Sequence, residues 1–367
     1  MRVIALVIRA GAVVAALAAL FAVLDDGPTP PLGAAVAPPS PRSAPPRTPP
    51  RGSFTFSAVG DILMGSTPNL PPDGGAGFFS RVASSLRADV TLGNLEGTLS
   101  TGGSSRCRPA SRQCYAFHTP PSYARRLKDA GFTVLSLANN HADDFGPGGE
   151  RETGRALDRY HLLHTGRPGE IAVQKVNGIR VAVLGFAPYP WAQSLTDTAA
   201  AKRLVKRAAA EADVVIVMMH AGAEGVAHQH VAPVTEFFLG ENRGNALAFS
   251  HAVIDAGADL VVGSGPHVLR GMEWYRNRLI AYSLGNFGGY KVFALGGPLS
   301  TSAILRVTLR GDGTVDSAGL VATRLSGDGT PALDPSDAAY GLVNRLSADD
   351  FGSGGATVSP SGQIGHT

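Results

Sequence analysis

Side chains of the kind that bind metal ions follow five apolar segments of this sequence, each at the point where a segment ends. They are carboxylates, amides and imidazoles, at Asp61, Asn94 with Glu96, Asn139 with Asn140 and His141, His220, and His267. Oxygen and imidazole ligands without thiolates suit divalent zinc, manganese, iron or magnesium. Two such ions about 3.5–4 Å apart would bind a phosphate-like group and generate a hydroxide nucleophile. The pattern therefore favours a hydrolytic metal site.

Each of these residues also has an ordinary structural explanation. Asp61 would begin a turn, Asn94 would cap a helix, and a lone histidine such as His220 is commonly a hydrogen-bonded core residue. The polar stretch between Ser136 and Gly146 would be a turn before a helix. Five strand ends that offer only Asp, Glu, Asn and His are harder to explain in this way.

The segments that precede these residues predict buried β-strands, because they are short, apolar and rich in β-branched residues. Predicted strands cover 54–59, 89–92, 132–137, 213–219 and 258–262, and predicted helices cover 77–87, 121–130, 150–160, 199–212 and 245–256. Strands that alternate with helices indicate an α/β sheet, whose strand ends are where sites are built. Asn177-Gly178 predicts a hairpin, and strands dominate from 271 to 325.

Composition excludes several classes of protein. With 367 residues and 44% hydrophobic content, the chain can bury the core of one large domain or two small ones. The net charge of +3, without a long Lys/Arg run, gives no indication of nucleic-acid binding. Two cysteines without a Cys-x-x-Cys pair exclude a thiolate metal cage. The sequence contains neither a Gly-x-Ser-x-Gly nucleophile elbow nor a phosphate-binding loop.

The amino-terminal residues predict export. Residues 1–26 carry two arginines before an apolar run from Ala10 to Leu24, which fits a membrane anchor with a cytoplasmic amino terminus or a cleaved signal peptide. Residues 27–52 are proline-rich and predict an extended linker. We therefore expect the remainder to be extracytoplasmic, either membrane-anchored or secreted.

Two further features depend on that location and on composition. In an exported chain Cys107 and Cys114 predict a disulfide, with free or metal-bound thiols as the alternative. Residues 347–367 consist largely of Gly, Ser, Asp and Thr, which predicts a disordered tail.

A set of motifs appears in order along the chain. They are Val59-Gly-Asp61, Gly93-Asn-Leu-Glu-Gly97, Leu137-Ala-Asn-Asn-His-Ala-Asp-Asp-Phe-Gly146, His220-Ala-Gly-Ala-Glu224, Gly257-Ala-Asp-Leu-Val-Val-Gly263, Pro266-His267-Val268 and Tyr282-Ser-Leu-Gly-Asn-Phe287. This set resembles the CapA family of poly-γ-glutamate capsule-synthesis proteins, a branch of the metallophosphoesterase superfamily, over residues 53–325. The resemblance implies an α/β fold for residues 53–346, a four-layer α-β-β-α sandwich of two facing mixed sheets between helices, with a strand-rich C-terminal part.

The resemblance also implies the ligands of one or two divalent ions, which would be manganese, zinc or iron. The implied ligands are Asp61, Glu96, Asn140, His220 and His267. Glu96 stands where the superfamily has its bridging carboxylate, with Asn94 as the second choice.

Catalytic roles follow from the same resemblance. His141 would protonate the leaving oxygen, and Asp144 and Glu224 would orient imidazoles or hold water. Asn94 and Asn139 would support the ligands or contact the substrate. Gly265 departs from the family pattern, because the family usually has a histidine at this position.

The loss of that histidine leaves two functions open, although Glu224, His228 or His230 would be available to replace it. The first is a metal-dependent hydrolase that acts on a phosphoester or on an amide-linked, anionic cell-envelope polymer. The second is a non-catalytic accessory protein that binds such a polymer beside its membrane synthase. Gly265 and the short first motif at Asp61 favour the accessory role. The hydrolase is favoured by the retained motif residues, which are Asn140, His141, His220 and His267.

Overall fold

Two mixed β-sheets carry the ligand-type residues, and a computed structural model describes them within residues 50–107 and 114–366. The predicted anchor or signal peptide (1–26) and nearly all of the proline-rich linker (27–52) lie outside the described residues. Within the described ranges, no helix has both the length and the apolar character needed to cross a membrane.

Twenty strands and six α-helices are found in the described residues. The strands are β1 Ser53–Leu63, β2 Val90–Leu95, β3 Thr98–Leu99, β4 His118–Thr119, β5 Val134–Ser136, β6 Leu163–Thr165, β7 Ala172–Val176, β8 Ile179–Phe186, β9 Val214–His220, β10 Glu236–Phe238, β11 Glu241–Gly244, β12 Leu260–Ser264, β13 Met272–Tyr275, β14 Arg278–Ala281, β15 Asn286–Gly289, β16 Thr301–Arg310, β17 Val315–Ser326, β18 Thr330–Leu333, β19 Ala356–Val358 and β20 Ile364–His366. The helices are α1 Ala83–Leu86, α2 Ala124–Ala130, α3 Gly146–Arg159, α4 Thr198–Glu211, α5 Ala246–Asp255 and α6 Ala338–Phe351.

The first sheet has eight strands in the order β18-β17-β16-β1-β2-β5-β6, with β15 beside β1. The second has six, in the order β13-β14-β12-β9-β8-β7. Strands β1, β2, β5 and β6 run parallel, as do β8, β9, β12 and β14, so their carboxyl ends meet at one edge of each sheet. The predicted hairpin is present as the antiparallel pair β7 and β8.

Three apolar cores separate the layers. One lies between the sheets and joins residues such as Phe56 and Leu92 to Val183 and Ile216. A second covers the outer face of the first sheet, where α2 and α3 pack, and a third covers the second sheet under α4 and α5. The central strands are thus buried on both faces, which explains why β9 is apolar from Val214 to Met219, whereas the edge strand β7 alternates. The predicted α-β-β-α sandwich is confirmed.

The predicted helix at 77–87 is wrong over its first half. Only α1 is helical, and residues 77–82 form turns in which Ser80 N donates to Gly77 O and Val82 N donates to Phe79 O. Phe78, Phe79 and Val82 are all buried, so these residues face the core from turns and the apparent helical spacing was misleading.

The predicted disordered tail at 347–367 is also wrong. Helix α6 continues to Phe351, and β19 pairs with β20 as an antiparallel hairpin. Val358 and Ile364 pack in the core between the sheets, and Asn344 Nδ2 donates to Val358 O at 2.7 Å. Val358 and Ile364 are buried only because α6 and the two sheets pack around them. The composition of residues 347–367 therefore could not show that the segment is ordered.

Candidate metal centre

A row of polar residues crosses the first sheet at the ends of its strands. In β1, Asp61 is in register with Asn94 of β2 on one side and with Asn286 of β15 on the other. The register of β1 shifts at Asp61 against both neighbours. Asn94 Nδ2 donates to Asp61 Oδ1 at 2.8 Å, and all three side chains are buried. Strand pairing therefore places Asp61 between two asparagines, of which Asn94 donates to its carboxylate.

His267 reaches this row from the second sheet, in the loop after β12. Its backbone is left-handed, with φ at 60°, a conformation that non-glycine residues rarely adopt and that is common at functional sites. Its Nδ1 lies 2.9 Å from Asn286 Oδ1 and 3.1 Å from Asp61 Oδ2. An Nδ1–H that donates to an amide oxygen fixes the ring and leaves Nε2 available as a ligand.

Asp61, Glu96 and His267 form a candidate metal-binding triad. Among the described residues they are the one group of three or more His, Cys, Asp or Glu whose ligand atoms all lie within 4.8 Å of one another. His267 Nε2 is 3.7 Å from Glu96 Oε1. Two ligands each about 2.0–2.2 Å from one ion lie roughly 3–4 Å apart, so this spacing fits a divalent ion.

The carboxylate of Glu96 provides an independent indication of a cation. Glu96 is only 1% exposed, yet neither of its carboxylate oxygens has a hydrogen-bond partner. A buried carboxylate without partners is costly, because buried charges are normally paired or bound to metal. The donor set of two carboxylates and one imidazole fits manganese, zinc or iron.

The electrostatics of the triad, free of metal, show the same deficit of positive charge. Burial, together with the charge of Asp61, raises the pKa of Glu96 well above its usual range. Burial opposes ionisation of Asp61, but the hydrogen bond and charge of His267 outweigh it and lower the pKa of Asp61 to about 2. Burial also disfavours the charged imidazole of His267, yet the charge of Glu96 and the bond to Asp61 raise its pKa to about 10.

The predicted ligand His220 lies at the end of β9, beside the triad but outside it. Its Nδ1 is 3.7 Å from Asp61 Oδ1, 3.2 Å from Asn94 Nδ2 and 3.2 Å from Ser264 Oγ. Its Nε2 is 3.5 Å from Nη2 of Arg243. Burial lowers the pKa of His220 well below its ordinary value, so the ring is neutral.

The segment 139–144 connects the triad to the predicted acid. Asn139 Nδ2 donates to Asn94 Oδ1 at 3.0 Å, and Asn139 Oδ1 accepts from His141 N at 2.9 Å. His141 Nδ1 lies 2.8 Å from Asp144 Oδ2, so the carboxylate holds the ring as predicted. The predicted ligand Asn140 is buried, and its Oδ1 has no hydrogen-bond partner.

The predicted disulfide is confirmed and borders this segment. Cys107 and Cys114 are bonded, with Cα atoms 5.5 Å apart. The residue before the first cysteine, Arg106, forms an ion pair with Asp144 at 2.9 Å. Asp144 thus contacts both an arginine and the His141 imidazole.

Of the three residues that would replace the missing histidine, only Glu224 lies against the triad. Glu224 Oε2 is 3.7 Å from His267 Nε2. The exposed His230 pairs instead with Asp350 at 2.7 Å, and the His228 ring lies edge-on to Phe238.

Two residues of the site were not predicted from the sequence. Asn286 is the first residue of β15 and stands directly before Phe287, so the motif Tyr282-Ser-Leu-Gly-Asn-Phe287 was the signal that could have identified it. Arg243 gave no such signal, because Gly-Glu-Asn-Arg-Gly is typical of an exposed turn. In the structure Arg243 is 1% exposed and pairs with Glu224 at 2.7 Å.

Fold and site together define an α/β sandwich protein with a buried histidine–carboxylate centre between two sheet edges. The model of the bacterial capsule synthesis protein family PGA_cap matches residues 55–290, and the chain belongs to this family.

Named relatives support that assignment. The chain is 32% identical over 286 residues to the capsule biosynthesis protein CapA of Bacillus anthracis, covering 71% of this chain and 65% of the relative. It is 31% identical to the PGA biosynthesis protein CapA of Bacillus subtilis, covering 71% and 69% respectively. The chain therefore spans about two thirds of the length of these relatives. Among solved structures, a 5'-nucleotidase precursor from Thermus thermophilus is 15% identical with a TM-score of 0.39, covering 74% of this chain and 54% of that one.

Proposed function

We propose that this capsule-synthesis family member is a metal-dependent hydrolase that cleaves a phosphoester or an amide-linked, anionic cell-envelope polymer. The observation that carries the proposal is the buried carboxylate of Glu96, whose two oxygens lack partners beside Asp61 and His267. Asp61, Glu96 and His267 would hold the ion. A bound divalent ion supplies positive charge against the anion that develops on the substrate.

The chain's own acid would be His141. Its Nδ1 faces Asp144, which leaves Nε2 as the atom that can give a proton to the leaving oxygen. Asp144 fixes the orientation of the ring, and Arg106 in turn holds Asp144. His141 is 8% exposed, so it can reach a substrate while most of the ring stays packed against Phe117.

The location proposed for this reaction is extracytoplasmic. The disulfide between Cys107 and Cys114 supports export, because disulfides persist in oxidising compartments. Residues 1–26 would be a membrane anchor or a signal peptide, and an anchored protein would act beside a membrane polymer synthase. The substrate would be anionic, in keeping with a cation at the site.

A second candidate is a non-catalytic subunit that binds the polymer for that synthase. Gly265 favours it, since φ at this residue is 110° and a side chain there would meet Ala221 N at 2.9 Å. A histidine at position 265 would therefore strain the backbone, so the loop as folded does not provide that ligand.

Turnover by the full-length, manganese-loaded protein distinguishes the two candidate functions, because only the hydrolase cleaves a substrate. We expect hydrolysis of a generic phosphodiester or of poly-γ-glutamate, measured together with bound metal. His141→Ala should lower turnover by about 10²–10⁴-fold and leave metal content unchanged, since it removes a proton donor and no ligand.

His230→Ala is the matched control, because that imidazole pairs with a carboxylate away from the triad and its loss should change neither quantity. A wild-type protein that binds manganese but cleaves neither substrate between pH 5 and 9 would exclude the hydrolase and favour the polymer-binding subunit.

A further inference from the structure

A buried guanidinium lies beside Gly265, the position at which the family usually has a histidine. Arg243, in β11, directs Nη2 to within 3.5 Å of His220 Nε2 and 3.3 Å of Gly265 O. It is 1% exposed, and its charge is held between the two sheet edges. A metal ion bound to the same Nε2 would lie about 2.0–2.1 Å from that nitrogen, in the space that the guanidinium fills.

His220 faces hydrogen-bond donors at both ring nitrogens. Asn94 Nδ2 lies 3.2 Å from its Nδ1, and Arg243 Nη2 lies against its Nε2. A neutral imidazole has a single unprotonated nitrogen. When Nε2 accepts from Arg243, Nδ1 carries the proton and can donate to Ser264 Oγ at 3.2 Å, so neither nitrogen faces an empty ligand position.

The remaining nitrogens of Arg243 also donate hydrogen bonds. Its Nε donates to Gly222 O at 3.1 Å, and Nη1 donates to Glu224 Oε1 at 2.7 Å. Four of the five N–H donors of Arg243 thus have acceptors within the protein, and Arg243 contributes mainly its charge to the centre.

Gly265 makes this arrangement possible. Its carbonyl accepts from Arg243, and its missing side chain would otherwise approach His220 Cδ2 to 3.2 Å. The glycine and the arginine therefore both contact the His220 ring, where the glycine adds no side chain and the arginine brings a positive charge.

We propose that Arg243 takes the place of a second metal ion, so that the centre binds one divalent ion at Asp61, Glu96 and His267. The inference rests on the proposed metal centre and specifies its stoichiometry. Arg243 acts as a positioning residue that holds His220 and Glu224 and supplies fixed positive charge.

The decisive measurement is the number of manganese ions bound per full-length chain, determined by equilibrium dialysis with elemental analysis. One ion per chain is expected. Two ions would overturn the role of Arg243 but leave the metal centre intact, whereas no bound ion would overturn both proposals.

Substitutions of Arg243 test whether its positive charge affects manganese affinity. Arg243→Gln should bind the first ion at least about tenfold more tightly, because a nearby positive charge is removed and Glu224 is released. Arg243→Lys keeps the charge and should remain within about threefold of wild type. An unchanged or weaker affinity in Arg243→Gln contradicts the proposal.

Arg270→Gln is the matched control, because Arg270 is equally buried and pairs with Glu236 at 2.6 Å. It should lose stability as Arg243→Gln does, yet keep wild-type manganese affinity. Circular dichroism identifies any variant that fails to fold, in which case the wild-type stoichiometry decides the matter.

Discussion

Two buried histidine–carboxylate clusters in this protein contain similar residues and differ in hydrogen bonding. In the structural cluster, His251 Nε2 lies 2.9 Å from Glu273 Oε2, which also accepts from Tyr282 Oη at 2.7 Å. In the candidate metal centre, both oxygens of Glu96 lack hydrogen-bond partners although His267 Nε2 lies 3.7 Å from Oε1.

The difference shows how a site can be distinguished from a stabilising network. Glu273 has its charge balanced by donors that the fold supplies, so burial of this carboxylate is complete without a ligand. The carboxylate of Glu96 has no such donors, and a bound cation would satisfy its oxygens. The lack of partners thus marks the site better than residue type, which the two clusters share.

The largest expected effect comes from neutralising each carboxylate in turn. Glu96→Gln should weaken manganese binding by more than about 100-fold, because it changes a ligand itself. Changing a residue that only orients a ligand typically costs about 10–100-fold. It should leave the thermal stability of the metal-free protein nearly unchanged, because burial already favours the neutral form of Glu96, which a glutamine resembles. Isothermal titration and differential scanning calorimetry measure both quantities.

Glu273→Gln provides the reverse case. It should leave manganese affinity unchanged. It should lower the free energy of unfolding by about 1–3 kcal/mol, because it disturbs the hydrogen bonds that Glu273 makes with His251 and Tyr282. If Glu96→Gln and Glu273→Gln lowered stability equally and neither changed manganese affinity, both clusters would be structural, and the missing hydrogen bonds of Glu96 would not mark a metal site.

A smaller loss of manganese affinity is expected when the residue that orients the ligand His267 is changed. Asn286→Ala removes the amide oxygen that accepts from His267 Nδ1, so the ring is no longer held with Nε2 towards Glu96. Manganese affinity should fall by about 10–100-fold. Asn344→Ala, at the C-terminal hairpin, should leave the affinity unchanged, and an equal loss in both variants would indicate a general loss of folding.

The smallest effect is the one expected for a change of a single pH unit, about tenfold in manganese affinity, because the ion displaces one proton from His267. The pKa of His267 is raised from about 6.5 to about 10 in the metal-free protein, so its contribution to stability is complete below pH 6.5 and is lost as pH rises through 10. Metal binding requires neutral Nε2, so affinity should increase with pH up to about 10. Titration at pH 8 in buffers of different ionisation enthalpy should show at least one proton released per ion, and release of none would contradict the raised pKa.

The sequence alone was sufficient for the features that depend on local pattern. Short apolar segments predicted the strands, Asn177-Gly178 predicted the hairpin, and ligand-type residues at strand ends predicted Asp61, Glu96 and His267 as members of one site. These inferences succeed because parallel strands bring their carboxyl ends to one edge, whatever the details of packing.

Tertiary structure decided what depends on distant partners. Arg243 looked like a residue of an exposed turn, and Val358 and Ile364 looked like part of a disordered tail, until the sheets and α6 buried them. Whether the oxygens of Glu96 found donors could not be inferred from residue type either. Burial and hydrogen bonding are properties of side chains that meet in space from remote parts of the chain, so only the folded protein determines them.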